Sequence, residues 1–303
     1  MPKNADFDMS NLDTSVRPQD DLALFAGGGW LKKNPIPPTD ARWGTFDFLR
    51  EESQKKLRAI AEEVSKKKVV AGSDEQLVKD FWLSGMNESL REDLGIKPLT
   101  EIFETIEKIE TVEDFIEFTA HAHKVGFNIL WAPFVGQDDR KSDRNAFHLV
   151  QAGLTLPDRD YYLKPDEESK RIRAAYTAHL EKMMTFAEIP TEKIPGMIQI
   201  VLKIETALAK ISITRVEWRD PEKLYNKWSF KKLRVTAPGI NWKQYLNDIG
   251  VKDIKDLVVY QPKFIEGVHA LLPKVSIEDW KTYARWKVID EAAQGTPDQY
   301  ATN

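Results

Sequence analysis

Cysteine is absent from all 303 residues. That single lack excludes disulfides, thiolate metal sites and cysteine nucleophiles together. No apolar run approaches the roughly 20 residues that a membrane-spanning helix needs. Charge of one sign is lacking too, because 44 basic and 48 acidic residues are interleaved and sum to −4. Such a balance gives no footing for a nucleic-acid surface. The Lys66-Lys67-Lys68 run reads as a helix C-terminus, where cations complement the backbone dipole.

Motifs of catalysis are missing as well. A zinc hydrolase of the H-E-x-x-H type sets two histidines one helical turn apart with a general base between them. The five histidines here are His121, His123, His148, His179 and His269, and none forms that motif. His121 and His123 are two positions apart, so on a helix they point to different faces. Glu117 and His121 do share a face, in a spacing that reads as structural. No G-x-S-x-G elbow, phosphate loop or dinucleotide fingerprint is found, and Gly27-Gly28-Gly29 lacks the strand–turn–helix setting such loops require. No catalytic residue and no metal ligand is therefore assigned.

What is present is a large, mostly helical chain. An apolar content of 42% over this length supports a substantial core, as one large or two ordinary domains. Ser73 with Gln76, Thr111 and Ser276 stand where helix caps are expected. Leu99, Ile102, Phe103, Ile106 and Ile109 keep a helical period. The longest helices are expected over Glu168–Ala187 and Ile194–Ile213, with shorter ones over Trp242–Ile249 and Lys263–Leu271. Ile129–Val135 and Ala146–Ala152 read as strands around a polar loop, a hairpin near 129–152, and Leu257–Tyr260 as another short strand. The fold class is thus mainly α, a multi-helical domain with a few short β-strands.

The most informative stretch is Arg17 to Arg50, RPQDDLALFAGGGWLKKNPIPPTDARWGTFDFLR. Glycines that permit close approach alternate with prolines that fix the backbone, which specifies one path across a surface. Arg42 and Arg50 follow, eight positions apart, or about two turns if the segment is helical throughout. Their planar guanidinium forks suit a carboxylate.

These residues resemble the N-terminal half of the neprilysin family of zinc metallopeptidases, which includes bacterial endopeptidases of the PepO type. Seven blocks match in order: LDTSVRPQDD with GGWLKKNPIP, RWGTFDFLREE, GSDEQLVKDFWLSGMNE, FVGQDDRKSDRNAFHLVQAGLTLPDRDYYL, TRVEWRDPEKLYN, LVVYQPKF and EDWKTYARW. The resemblance implies a cover for a catalytic lobe, enclosing a chamber that admits peptides and excludes folded proteins. The family's zinc ligands and catalytic glutamate lie in its C-terminal half, so no cofactor is expected in this chain and zinc belongs to the complete enzyme. Arg42 and Arg50 fall on two family arginines that hold the C-terminal carboxylate of a bound peptide.

The chain departs from the family at Ala26-Gly27-Gly28-Gly29-Trp30, where relatives carry V-N-G-x-W, and at Gly85, where many carry cysteine. The implied organisation is an extended segment over 1–45 that would pack on the catalytic lobe, a helical substrate-gating domain over 46–293, and a polar tail over 294–303. The tail reads as an end to the family's long helix and no start to a lobe, so the chain alone is expected to be inactive. Expected partners are peptide substrates and a C-terminal catalytic lobe of the same or another chain, with no nucleic acid and no membrane segment. The alternative is a stand-alone peptide-binding or scaffold protein derived from such an enzyme. The first residues lack the apolar core of a secretory signal. A bacterial protein is expected, periplasmic or extracellular if a leader was removed and cytoplasmic otherwise. Asp158, Arg159 and Asp160, and likewise Arg219, Asp220 and Glu222, are read as turn-pinning residues, and the nine tryptophans as core or interface anchors.

Overall fold

The computed structural model describes residues 8–38, 40 and 42–293, and the polar tail lies outside the described residues. The chain divides into two compact units, Met1–Asn87 and Glu88–Asn303. Helices dominate both, as the periodicity predicts.

The first unit contains α1 (Leu22–Lys33), α2 (Thr45–Lys66) and α3 (Asp74–Gly85). The segment expected to be extended over 1–45 thus contains a helix, despite three consecutive glycines of poor helix propensity. Asp21 caps it by accepting from the Leu24 amide. The glycines answer to a neighbour: a Cβ on Gly29 would stand 2.4 Å from the Ser10 carbonyl oxygen, and one on Gly28 2.7 Å from Asp13 Cβ. Residues 10–13 therefore lie directly on the glycine face. Asp13 is buried there and accepts from Lys32 Nζ at 2.8 Å and from the Ser15 hydroxyl. Those bonds, that of Lys32 foremost, pull its carboxyl down to about 2. α2 ends at Lys66, so the lysine run does sit at a helix C-terminus. Ser73 caps α3 by accepting from the Gln76 amide, while Gln76 Oε1 reaches back to the Gly72 amide, one residue short of a reciprocal box.

In the second unit, α4 (Glu88–Leu94), α5 (Thr100–Glu107) and α6 (Val112–Lys124) precede the sheet. Thr111 and Asp114 form a complete capping box on α6. α7 (Asp160–Leu163), α8 (Glu167–Phe186), α9 (Ile194–Ile211), α10 (Pro221–Leu224) and α11 (Phe230–Thr236) follow. The chain then forms α12 (Trp242–Asp248), α13 (Pro262–Leu271) and α14 (Ile277–Ala292), the last capped by Ser276.

Four strands form one sheet: β1 (Trp131–Asp138), β2 (Lys141–Gln151), β3 (Lys227–Ser229) and β4 (Asp256–Val259), in the order β1-β2-β4-β3. β1 and β2 form the expected hairpin, but pairing continues through the polar stretch expected as a loop. Lys141–Asn145 are exposed whereas Phe147–Leu149 are buried, so the outer arm of the hairpin is solvated and its polar residues do not oppose pairing. β4 pairs parallel to β2 and antiparallel to β3, a strand the alternation does not reveal in three residues. Asp138, buried at the hairpin end, accepts from Tyr225 Oη at 2.8 Å and Lys227 Nζ at 3.1 Å.

Two apolar clusters fill this unit. One gathers Trp131, Trp242, Tyr245, Trp280 and Phe115 around the sheet, and the other packs Leu180, Met183, Val201 and Trp286 among α8, α9 and α14. α14 serves both, burying Trp280, Tyr283, Trp286, Val288 and Ile289. The Tyr283 hydroxyl lies 2.7 Å from the Ile129 carbonyl and 2.6 Å from that of Gly153. Gly153 has φ +91°, and a Cβ there would meet Tyr283 Oη at 2.6 Å and the Ile129 oxygen at 2.7 Å. Glycine is required on both counts.

Beside this junction the fully buried Glu205 accepts from Tyr176 Oη at 2.8 Å, Tyr162 Oη at 3.0 Å and the Thr155 amide at 3.2 Å. Lys287, almost as deeply buried, supplies a compensating charge and reaches Asp290 at 3.2 Å. Burial outweighs these partners and raises the Glu205 carboxyl to about 6. A raised carboxyl contributes stability that is complete below the unfolded value of 4.5 and lost as pH rises through about 6. The Glu205 contribution should therefore fall by about 2 kcal/mol across that window, read as the difference in urea midpoint between the native chain and Glu205→Gln, a comparison in which the opposing rise from the buried His123 cancels. Gly153→Ala should cost about 3 kcal/mol from strain plus overpacking, read from the same denaturation curves.

Candidate functional site

Arg50 lies in the second turn of α2, whereas Arg42 precedes the helix, two residues before its N-cap Gly44. The helical premise for a shared face consequently fails: the chain is not helical between the two arginines until Thr45. Asp47 organises this end of the helix. Its Oδ2 accepts from the Gly44 amide at 3.1 Å, and its Oδ1 lies 3.2 Å from an Arg50 guanidinium nitrogen. One carboxylate occupies few of the five N–H donors of a guanidinium, and the Arg50 side chain remains 59% exposed. Arg42 is exposed as well.

Arg50 stands on an unusual helix face. Phe46, Leu49, Leu57 and Ile60 are spaced to share one side of α2, and Arg50 is one turn from Phe46 on that same side. All four apolar side chains are exposed, Phe46 to 88%. On α3, Leu77 and Phe81 repeat the pattern, with Phe81 85% exposed. Among the described residues up to Asn87, Val64 is the one large apolar side chain that is buried, against sixteen exposed. The stripe keeps a helical period that the sequence analysis did not single out. Its exposure is not legible from that period, because periodicity shows a face and not what covers it.

The histidines do not assemble a metal centre. His123 Nδ1 lies 2.8 Å from Tyr245 Oη, and desolvation lowers its imidazole to about 4. His148 stacks on Phe134 with centroids 4.5 Å apart. Among the described residues no three histidine, aspartate or glutamate side chains stand together as metal ligands. The described residues therefore do not fit a zinc ion.

The most specific sequence block, Gly153 to Leu163, borders a cavity of about 310 Å³. Asp158 does pin a turn: its Oδ1 accepts from the Asp160 amide at 2.8 Å and its Oδ2 pairs with Arg215 Nε at 3.0 Å. Asp160 pairs with Lys164 at 2.8 Å. Arg159 differs, lining the cavity with its Nε buried and unpartnered. The second expected pin is partly present, with Asp220 accepting from the Glu222 amide at 3.1 Å and Glu222 pairing with Arg140. Of the tryptophans, Trp131, Trp228, Trp242, Trp280 and Trp286 are core, while Trp218 is 39% exposed beside the cavity.

Comparison with known proteins agrees with this architecture. Residues 18–303 match the family described as "Peptidase family M13". Endothelin-converting enzyme 1 from Bos taurus is 30% identical over 298 residues, covering 93% of this chain and 38% of that protein. Neprilysin from Mus musculus is 28% identical, covering 96% and 42%. Among solved structures, Mycobacterium tuberculosis zinc metalloprotease Zmp1 in complex with an inhibitor superposes with a TM-score of 0.88 at 28% identity, covering 98% of this chain and 45% of that one. PepO from Lactobacillus rhamnosis shares the fold, with a TM-score of 0.75 at 19% identity. The chain thus spans less than half the length of these relatives. A match over nearly its whole length, on a helical fold shared with these relatives, places this chain in peptidase family M13 as the N-terminal domain of a neprilysin-like metallopeptidase.

Proposed function

We propose that this chain is the substrate-enclosing, non-catalytic part of a zinc endopeptidase. In this reading it packs its first unit on a catalytic lobe of the same or another chain, and Arg42 and Arg50 grip the C-terminal carboxylate of peptide substrates. The observation that carries the reading is the exposed apolar stripe of α2 with Arg50 on the same face. A unit whose described residues leave sixteen large apolar side chains in water and bury one does not satisfy itself, and surfaces of this kind mark interaction sites. The guanidinium beside that stripe offers charge-assisted hydrogen bonds where apolar cover excludes competing water.

Zinc belongs to the missing lobe in this reading, and no hydrolytic step is assigned to residues of this chain. The chain's contribution is orientation: a peptide held by its terminal carboxylate presents its scissile bond at a fixed distance from the grip. The stand-alone scaffold reading requires a polar surface on the first unit, and the exposed stripe speaks against it.

Three measurements bear on this. Calorimetry with a short peptide should show binding that weakens about ten-fold or more with Arg42→Ala or Arg50→Ala, and equally on amidating the peptide C-terminus. Retained affinity in the amide would remove the carboxylate grip. In sedimentation velocity the chain should self-associate with rising concentration, and Phe46→Glu with Phe81→Glu should suppress this. A monomer at all concentrations would argue for the stand-alone reading. Peptide turnover by this chain with added zinc, abolished by a chelator, would contradict its assignment as non-catalytic.

A further inference from the structure

The cavity behind the Gly153–Leu163 block has no role in the reading above, which rests on the first unit. It lies wholly within the second. Its apolar walls come from Leu154, Leu156 and Ile213, and its charges from Asp158, Arg159 and Arg215. One carboxylate against two guanidinium groups leaves the lining with an excess of one positive charge. Asp158 and Arg215 neutralise each other at 3.0 Å, so the excess resides on Arg159. Glu217, outside the lining, interacts electrostatically with Arg159 and keeps its charge, but its Oε2 is taken up by the Thr214 amide at 2.9 Å and the Thr214 hydroxyl at 2.8 Å, so what is unmet at Arg159 is a hydrogen bond. Arg159 Nε is buried with no hydrogen-bond partner. A cation left with an unpaired buried N–H is costly, and an anion beside it offsets that cost; Nε itself is closed to solutes, so an anion in the cavity would meet Arg159 through its terminal guanidinium nitrogens.

Volume and chemistry together select a ligand. About 310 Å³ matches the small end of ligand pockets, roughly 300–1,000 Å³, which pair apolar walls with a few placed polar groups. Trp218 lines the cavity while 39% exposed, so solutes can reach it. We propose that this cavity binds a carboxylate carried on an apolar body of amino-acid size, with Arg159 holding the carboxylate and Leu154, Leu156 and Trp218 holding the body. Such a group exists both as a free small acid and as the last residue of a peptide ending in a hydrophobic side chain. The site is separate from Arg42 and Arg50 and is tested separately.

The probe is N-acetyl-leucine, titrated into the full chain by calorimetry and followed through the Trp218 indole N–H resonance. Saturable binding is expected, weakened about ten-fold or more by Arg159→Gln and unchanged in the Arg42→Ala, Arg50→Ala double variant. A leucine-terminated tripeptide and its amide, titrated into that double variant, identify the source. Binding of the acid form alone supports a peptide end. Binding of N-acetyl-leucine but of neither tripeptide supports a free small acid. Circular dichroism checks that Arg159→Gln folds. If it does not, Trp218→Ala, at a half-exposed position, must weaken N-acetyl-leucine by loss of apolar contact. No saturation in the native chain, or binding indifferent to both Arg159→Gln and Trp218→Ala, overturns the proposal, as does binding lost only with Arg42 and Arg50.

Discussion

The second unit hangs on the Tyr283 hydroxyl. It meets two backbone carbonyls, Ile129 just before β1 and Gly153 just after β2, from a helix that also buries Trp280 and Trp286. The two ends of the hairpin are thereby drawn to one point on α14. The geometry allows no Cβ at residue 153, which is why a glycine opens the block that follows. Leu154 and Leu156, which line the cavity, lie on the segment that leaves β2 through this junction.

Next to it sits a cluster in which burial and charge oppose each other. Glu205 accepts three hydrogen bonds and faces the buried Lys287, yet desolvation still dominates its protonation. Replacing such a cluster with apolar side chains is often neutral for stability, so its retention points to a demand for one arrangement of α8, α9 and α14. The first unit is organised by the opposite economy. It binds itself through Asp13, Lys32 and close backbone contact at Gly28 and Gly29, while its described residues leave sixteen large apolar side chains in water. One unit is a finished core and the other is a surface, which accords with an N-terminal domain that spans less than half of its relatives.

Much of this was legible in the order of residues. Caps at Thr111 and Ser276, the long helices before and after Ile189, and both halves of the hairpin follow from local chemistry that acts within a few residues. Helix α1 was not legible, because glycine propensity argues against it and the compensating partner, the chain over 10–13, is set by tertiary contact. Strand β3 was missed for a similar reason: three residues carry no period, and only pairing with β4 makes them a strand.

Residue order alone determined the family and the dominance of helix, since each depends on which side chains exist and how they repeat. Folding in three dimensions decided which of those side chains meet. It paired Asp158 with Arg215, left Arg159 Nε without a partner, and turned the α2 stripe outward, because distances between remote residues are properties of packing and not of spacing along the chain.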